Sequence, residues 1–179
     1  MKYLIIVLII IILVVIFLFY KLKLMNNRCL NALSQIDNQL KRRNDLIPNL
    51  VNITKGYARY ETDTLEKLIK ARSTNIKDKA LNDEYIKNSI DKLLMLKESY
   101  PELKANELFL KLQVELVGTE DKIAFARQFY NDCVQQFNTY IEVFPNNILA
   151  NILKYKNKEY FKVDDEEKEK VVVDLDDTK

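Results

Sequence analysis

The sequence predicts an all-α protein: a long antiparallel helical bundle, coiled-coil-like with three to four long helices, continuous with an N-terminal transmembrane helix. Three observations lead there. Residues Tyr3 to Tyr20 form an uncharged, almost wholly aliphatic run, apolar residues then recur at spacings of three and four, and only two glycines and three prolines interrupt the 179 residues. Turn formers are too sparse for short strands joined by tight turns, and Leu, Ile, Lys, Glu and Asn favour long helices. At 48% hydrophobic and 30% charged, the composition is that of a folded chain. Three regions follow: an anchor and its flank over 1–24, a helical bundle over 25–163, and an acidic, disordered tail over 164–179.

As a helix the eighteen residues from Tyr3 to Tyr20 span about 27 Å, close to the roughly 30 Å hydrocarbon layer. Tyr3 and Tyr20 stand at its ends, where amphipathic rings suit headgroups. No small-x-small cleavage site follows, and Lys21-Leu22-Lys23-Leu24-Met25 continues a helical pattern, so the run is expected to stay as an anchor. Lys21, Lys23 and Arg28 after the run outweigh Lys2 and the α-amino group before it. The positive-inside rule therefore predicts an outside N-terminus and a cytoplasmic body. The lipid bilayer, met through residues 3–20, is the first expected partner.

Leu22, Met25, Cys29, Leu33, Ile36 and Leu40 then place one apolar stripe on a helix that leaves the membrane without a linker. Lys41 to Asp45 end this pattern, and Pro48 fits either the first turn of a new helix or a kink in a continuous one. A second helical region runs through Leu50, Ile53, Tyr57 and Tyr60 toward Leu65, Leu68 and Ala71, with Gly56 inside it. After a break from Ser73 to Asp78, a third carries Ala80, Leu81, Ile86, Ile90, Leu93, Leu94 and Leu96 and ends before Tyr100-Pro101. The fourth dominates. Phe109, Leu112, Leu116, Thr119, Ile123, Ala126, Tyr130, Cys133, Phe137, Tyr140 and Phe144 repeat without a slip. Started at Leu103, this helix would extend about 63 Å and need an antiparallel partner, which the first two regions, colinear across Pro48, would supply. A short helix with Ile148, Leu149, Ile152 and Leu153 is expected to cap the bundle, with Tyr155, Tyr160 and Phe161 along its side. From Asp164 the chain holds eight acidic and three basic residues, a net of minus five in a chain of net +2.

His and Trp are absent, which removes histidine-ligated metals and His-based triads, and two glycines cannot build a phosphate loop. Cys29 and Cys133 fall on apolar stripes without a histidine base, so a reduced, buried pair is expected. A carboxylate-bridged metal pair in a bundle would need inward-facing Glu residues, and Glu61 and Glu115 carry no sign of burial. The chain is therefore read as non-enzymatic, with no catalytic residue, cofactor, metal, nucleic acid or small-molecule substrate.

Lys41, Arg42 and Arg43 form the strongest basic cluster. Three readings stay open: a patch for a protein partner or neighbouring subunit, a site for the protein's own membrane, and a solvated or salt-bridged face. Distance weighs against lipid, because a straight helix holds the cluster about 30 Å from the bilayer, beyond the roughly 8 Å screening length. Gln35, Asp37 and Asn38 upstream and Asp45 downstream are its natural internal partners. Asp37, Arg127, Asn131 and Asn138 are candidates for setting helix register through buried hydrogen bonds.

The segment from Ser34 to Val51, with Gln39-Leu40-Lys41-Arg42-Arg43-Asn44-Asp45-Leu46-Ile47-Pro48-Asn49-Leu50 at its centre, resembles the hallmark block of the LemA family. Leu103-Lys104-Ala105-Asn106-Glu107, Leu116-Val117-Gly118-Thr119-Glu120, Ala126-Arg127-Gln128-Phe129-Tyr130-Asn131 and Phe144-Pro145-Asn146-Asn147 resemble its later blocks. The resemblance runs from the anchor to Phe161. It implies a bacterial membrane protein with one N-terminal span and a cytosolic antiparallel helical bundle, in a family without an established molecular activity. The family's relatives include a protein needed to form the magnetosome membrane, so membrane organisation is an expectation by analogy. This chain departs from the family at Leu33, where Trp is typical, and at Lys154-Tyr155, where Gly is frequent. The expected function is a membrane-tethered scaffold that forms a homo-oligomer or recruits a protein partner through its helix surfaces or tail.

Overall fold

The computed structural model describes residues 1–55 and 76–162, and these are all-α, without strands. Helix α1 spans Lys2–Lys55, α2 Ile76–Met95, α3 Pro101–Lys104, α4 Glu107–Glu142 and α5 Asn146–Ile152, with a single 3-10 turn at Leu96–Glu98. Gly56, Tyr57, Tyr60, Glu61, Leu65, Leu68, Ala71 and the acidic tail 164–179 lie outside the described residues, and Leu81 lies within α2.

Helix α1 joins the apolar run to the bundle. It is 54 residues and about 81 Å long, and its apolar window is long enough to cross a membrane, with 0% of that window buried. Pro48 lies inside it, so the choice left open in the sequence resolves as a continuous helix through the proline. The Pro48 ring is exposed, so the proline sits on the solvent side of the helix. Beyond the window the expected stripe is buried at Leu22, Cys29 and Ile36 and half-buried at Met25, Leu33 and Leu40, while Ala32, outside that stripe, is fully buried, and the inward face continues through Ile47, Leu50 and Val51.

Helix α4 lies antiparallel against α1: Cys29 donates from Sγ to the Cys133 carbonyl at 3.2 Å, and Arg43 reaches Glu120 at 3.0 Å. The α4 stripe is buried from Phe109 to Phe137 except for the half-buried Leu112, and its polar member Thr119 is satisfied by the Glu115 carbonyl at 2.7 Å. The start at Leu103 needs correction. Asn106 is extended (φ −74, ψ 116) and its side chain accepts from the amides of Leu108 and Phe109, so α4 begins at Glu107 and Leu103 belongs to the separate turn α3. Phe144 likewise lies past the last helical turn and faces outward. Helix α2 begins at Ile76, inside the expected break, and packs Ile86, Ile90 and Leu93 against α1 and α4.

Two hydrophobic cores result. The one proximal to the apolar run gathers Leu22, Cys29, Ala32, Ile36, Tyr130, Cys133, Val134, Phe137 and Phe161; the distal one gathers Ile47, Leu50, Val51, Ile86, Ile90, Leu103, Phe109 and Leu116. The expected cap on the proximal end is mostly not a cap. Only Ala150 of α5 is buried, and Ile148, Ile152 and Leu153 are exposed.

Helix α5 ends in a Schellman motif. The Tyr155 amide donates to the Ala150 carbonyl at 3.0 Å and the Lys154 amide to the Asn151 carbonyl at 3.1 Å, around Lys154 at φ 58. A Cβ in this left-handed region costs about 1–2 kcal/mol, and here stands the lysine where the resembled family often has glycine. Lys154→Gly is therefore expected to raise stability by about 1 kcal/mol, read as a higher midpoint in thermal unfolding.

Candidate functional site

Between the two cores lies a layer of charge. Arg43 occupies the α1 stripe between Ile36 and Ile47 and is 1% exposed, so it points into the bundle. Its Nη1 meets Asp83 Oδ1 at 2.7 Å and Glu120 Oε1 at 3.0 Å. Arg127 Nη1 takes the other Asp83 oxygen, Oδ2, at 3.1 Å. Asp83, on α2, is 4% exposed. Two guanidinium and two carboxylate groups balance, so the layer is neutral and ties α1, α2 and α4 into one register. Buried charges persist in a low-dielectric interior only when paired in this way.

This arrangement divides the basic cluster read from the sequence. Lys41 and Arg42 are exposed on α1, whereas Arg43 is withdrawn from the surface by its pairing with Asp83 and Glu120 rather than with Asp45 or the residues upstream. Adjacent residues on a helix are turned about 100° apart, so three consecutive basic residues cannot share one face. The patch reading therefore applies only to Lys41 and Arg42. Asp83 and Glu120 were not among the candidate site residues. Their signal is positional: Asp83 falls at three from Ala80 and three from Ile86, and Arg43 at three from Leu40 and four from Ile47, each on a buried stripe.

The polar candidates on α4 hold the segment that returns along the bundle after α5. Asn138 donates to the Lys158 carbonyl at 3.0 Å and accepts from the Lys158 amide at 2.8 Å. One heptad earlier, Asn131 treats Phe161 alike, donating to its carbonyl at 3.1 Å and accepting from its amide at 2.8 Å. Tyr130 Oη donates to the Glu159 carbonyl at 2.9 Å. A segment without regular secondary structure thus satisfies its backbone through side chains instead of a ladder. Arg127 belongs to both networks, since its guanidinium lies 5.1 Å over the Phe161 ring while pairing with Asp83. Asp37 is exposed on α1. The polar residues Arg127, Asn131 and Asn138 therefore fix the returning segment and the α2 to α4 contact.

Burial pushes the Tyr130 phenol up to about 12 from an ordinary value near 10. Between pH 10 and 12 an unfolded chain releases this proton while the folded chain keeps it. The contribution to folding is present in full below about pH 10 and is lost as pH rises through about 12. Stability should fall over that window, and less steeply in Tyr130→Phe, when urea midpoints are compared across pH.

Neither network offers a reaction centre. Among the described residues no group of three or more His, Cys, Asp or Glu is placed to hold a metal ion. Cys29 and Cys133 are both free and buried, and burial raises both thiols, which suppresses the thiolate. A shallow groove of about 520 Å³ between α1 and α4, lined by Gln35, Gln39, Asp121, Lys122 and Phe125, opens to solvent without convergent catalytic groups.

Comparison with known proteins gives a consistent pattern. The model of the LemA family matches residues 32–175. Protein LemA of Metamycoplasma hominis is 31% identical over 156 residues, covering 84% of this chain and 69% of that protein. The magnetosome protein MamQ 2 of Paramagnetospirillum magneticum is 34% identical over 74 residues, 41% of this chain. MamQ of Magnetospirillum gryphiswaldense is 31% identical over 74 residues, and the match spans only 27% of each magnetosome protein's length.

Proposed function

Because the chain belongs to the LemA family, we propose that it is a non-enzymatic, single-pass, membrane-anchored helical scaffold that self-associates or recruits a protein partner at the bacterial cell membrane. Its N-terminus lies outside and its bundle in the cytoplasm, as the basic flank at Lys21, Lys23 and Arg28 favours. One observation supports the scaffold reading above the rest. On the solvent side of α4, Leu110, Val114 and Val117 are exposed apolar residues at helical spacing, and beyond the charged Asp121, Phe125 and Phe129 are exposed toward the groove side. Contiguous apolar surface rimmed by polar side chains marks association in soluble bodies. The continuous α1 would present these side chains at a fixed height and orientation over the membrane.

A second reading, an organiser of membrane shape, draws on the similarity to the magnetosome proteins and needs the same rigid coupling. The native mass of the full-length chain in polymer nanodiscs, compared with a chain beginning at Met25, tests the scaffold. A closed oligomer that requires both anchor and bundle supports it, and Val114→Asp with Phe125→Asp should dissolve that oligomer without unfolding the bundle. A monomer in every form would sink self-association and leave an adaptor, whose partner would then be sought by crosslinking from Lys41 and Arg42.

A further inference from the structure

The proximal end of the bundle exposes apolar side chains where they are least expected. Phe144 is 74% exposed, Ile152 70%, Ile148 54% and Val143 52%. Ile148 and Ile152 are four residues apart on α5 and share its outer face, and Val143 and Phe144 are exposed in the turn that leads into it, so turn and helix together expose an apolar edge. The height of this edge is fixed by a contact with the apolar run itself. Tyr140 Oη donates to the Leu18 carbonyl at 3.3 Å, and Lys21 Nζ lies 5.2 Å over the Tyr140 ring. Leu18 lies two residues inside the run that ends at Tyr20, and α4, antiparallel to α1, continues past Tyr140 toward the run. No linker separates bundle from span. If α1 crosses the bilayer, the edge reaches the headgroup layer.

We infer that the Phe144 turn and helix α5 form a second membrane contact, an amphipathic edge lying in the headgroup and upper acyl layer beside the transmembrane helix. This rests on the anchor reading above. Its chemistry suits an anionic bilayer surface: Lys21, Lys23, Lys154 and Lys156 are exposed around the edge, while the acidic neighbour Glu142 accepts from Asn157 Nδ2 at 2.7 Å. Helices of this kind bury their apolar face about 5–10 Å below the surface with basic residues at the phosphate level. Two contacts rather than one would hold the body at one tilt and rotation on the membrane.

The chain has no tryptophan, so a single introduced indole reports one site. Ile148→Trp, Ile152→Trp, Phe17→Trp and Phe129→Trp are compared in full-length protein in phosphatidylcholine and phosphatidylglycerol nanodiscs, with lipid brominated in the upper acyl chain as quencher and helicity checked by circular dichroism. The contact predicts that Ile148→Trp and Ile152→Trp lose at least about twofold in intensity, as Phe17→Trp does, while Phe129→Trp does not. Quenching of Phe17→Trp alone would overturn the second contact and leave the anchor standing. If Phe17→Trp also escapes, the anchor reading fails and the contact with it. Ile148→Trp shielded from both brominated lipid and aqueous iodide would mean that a second copy covers the edge, which also overturns the inference.

Discussion

Asp83→Ala is expected to lower stability by about 3–5 kcal/mol, among the largest losses available to a single substitution in this bundle. The aspartate is the hub of the charge layer, because its two oxygens take Arg43 and Arg127 separately. Without it Arg43, almost wholly buried, keeps only Glu120 at 3.0 Å, and Arg127 loses its anchor to α2. Most of the loss would be the cost of a buried, half-compensated guanidinium, not the worth of the ion pair. The double variant Arg43→Met with Asp83→Leu should therefore recover most of it, since apolar replacement of a whole buried pair is often neutral. Glu120 is partly exposed and can turn to water, and so can Arg127. Urea unfolding of the detergent-solubilised chain, followed by circular dichroism, measures both. A double variant as unstable as the single one would mean that the layer stabilises the fold through its charges.

Phe161→Ala should cost about 3–5 kcal/mol, the usual range for emptying a buried aromatic site. The ring is buried with Tyr130, Phe137 and Ile36 in the proximal core, although it belongs to a segment with no regular secondary structure. It also carries the Arg127 guanidinium at 5.1 Å, so its loss loosens one support of the charge layer. Asn131 holds the Phe161 backbone at both its amide and carbonyl. Asn131→Ala should cost less, about 1–3 kcal/mol, through the backbone groups it leaves without partners. Because the two residues act on one contact, their combined loss should fall short of additivity, and a double-mutant cycle measures the shortfall.

The helices were legible because their stripes are long and regular, and the stripe of α4 from Phe109 to Phe137 is the buried face. Leu103 is as buried as Phe109 but belongs to the separate α3 turn, and the break is marked by the polar Asn106 and Glu107, three and four residues after Leu103, with Asn106 as the N-cap of α4. An intrabundle salt-bridged face was among the readings open for Lys41 to Arg43, but charge alone does not say which of the three turns inward. The register of Arg43 between Leu40 and Ile47 pointed inward, and Asp83 on the α2 stripe was the matching clue. Asn131 and Asn138 stood out as polar residues beside the long stripe, yet their partners, Phe161 and Lys158, lie in a segment without periodicity. Helix α5 was expected to turn its apolar residues inward, since periodicity describes which side chains share a face and not what that face meets.

A body held rigidly at the membrane requires α1 to serve at once as membrane span and as one wall of the bundle. Spin labels at Phe17→Cys and Lys41→Cys, with Cys29 and Cys133 replaced by alanine, measure this in nanodiscs by pulsed dipolar spectroscopy. Both positions are exposed, and a continuous helix separates them by about 36 Å along its axis. A single narrow distribution centred near that distance is the predicted result. A broad distribution, or one centred well below it, would show a hinge between span and bundle and contradict a body held rigidly at the membrane.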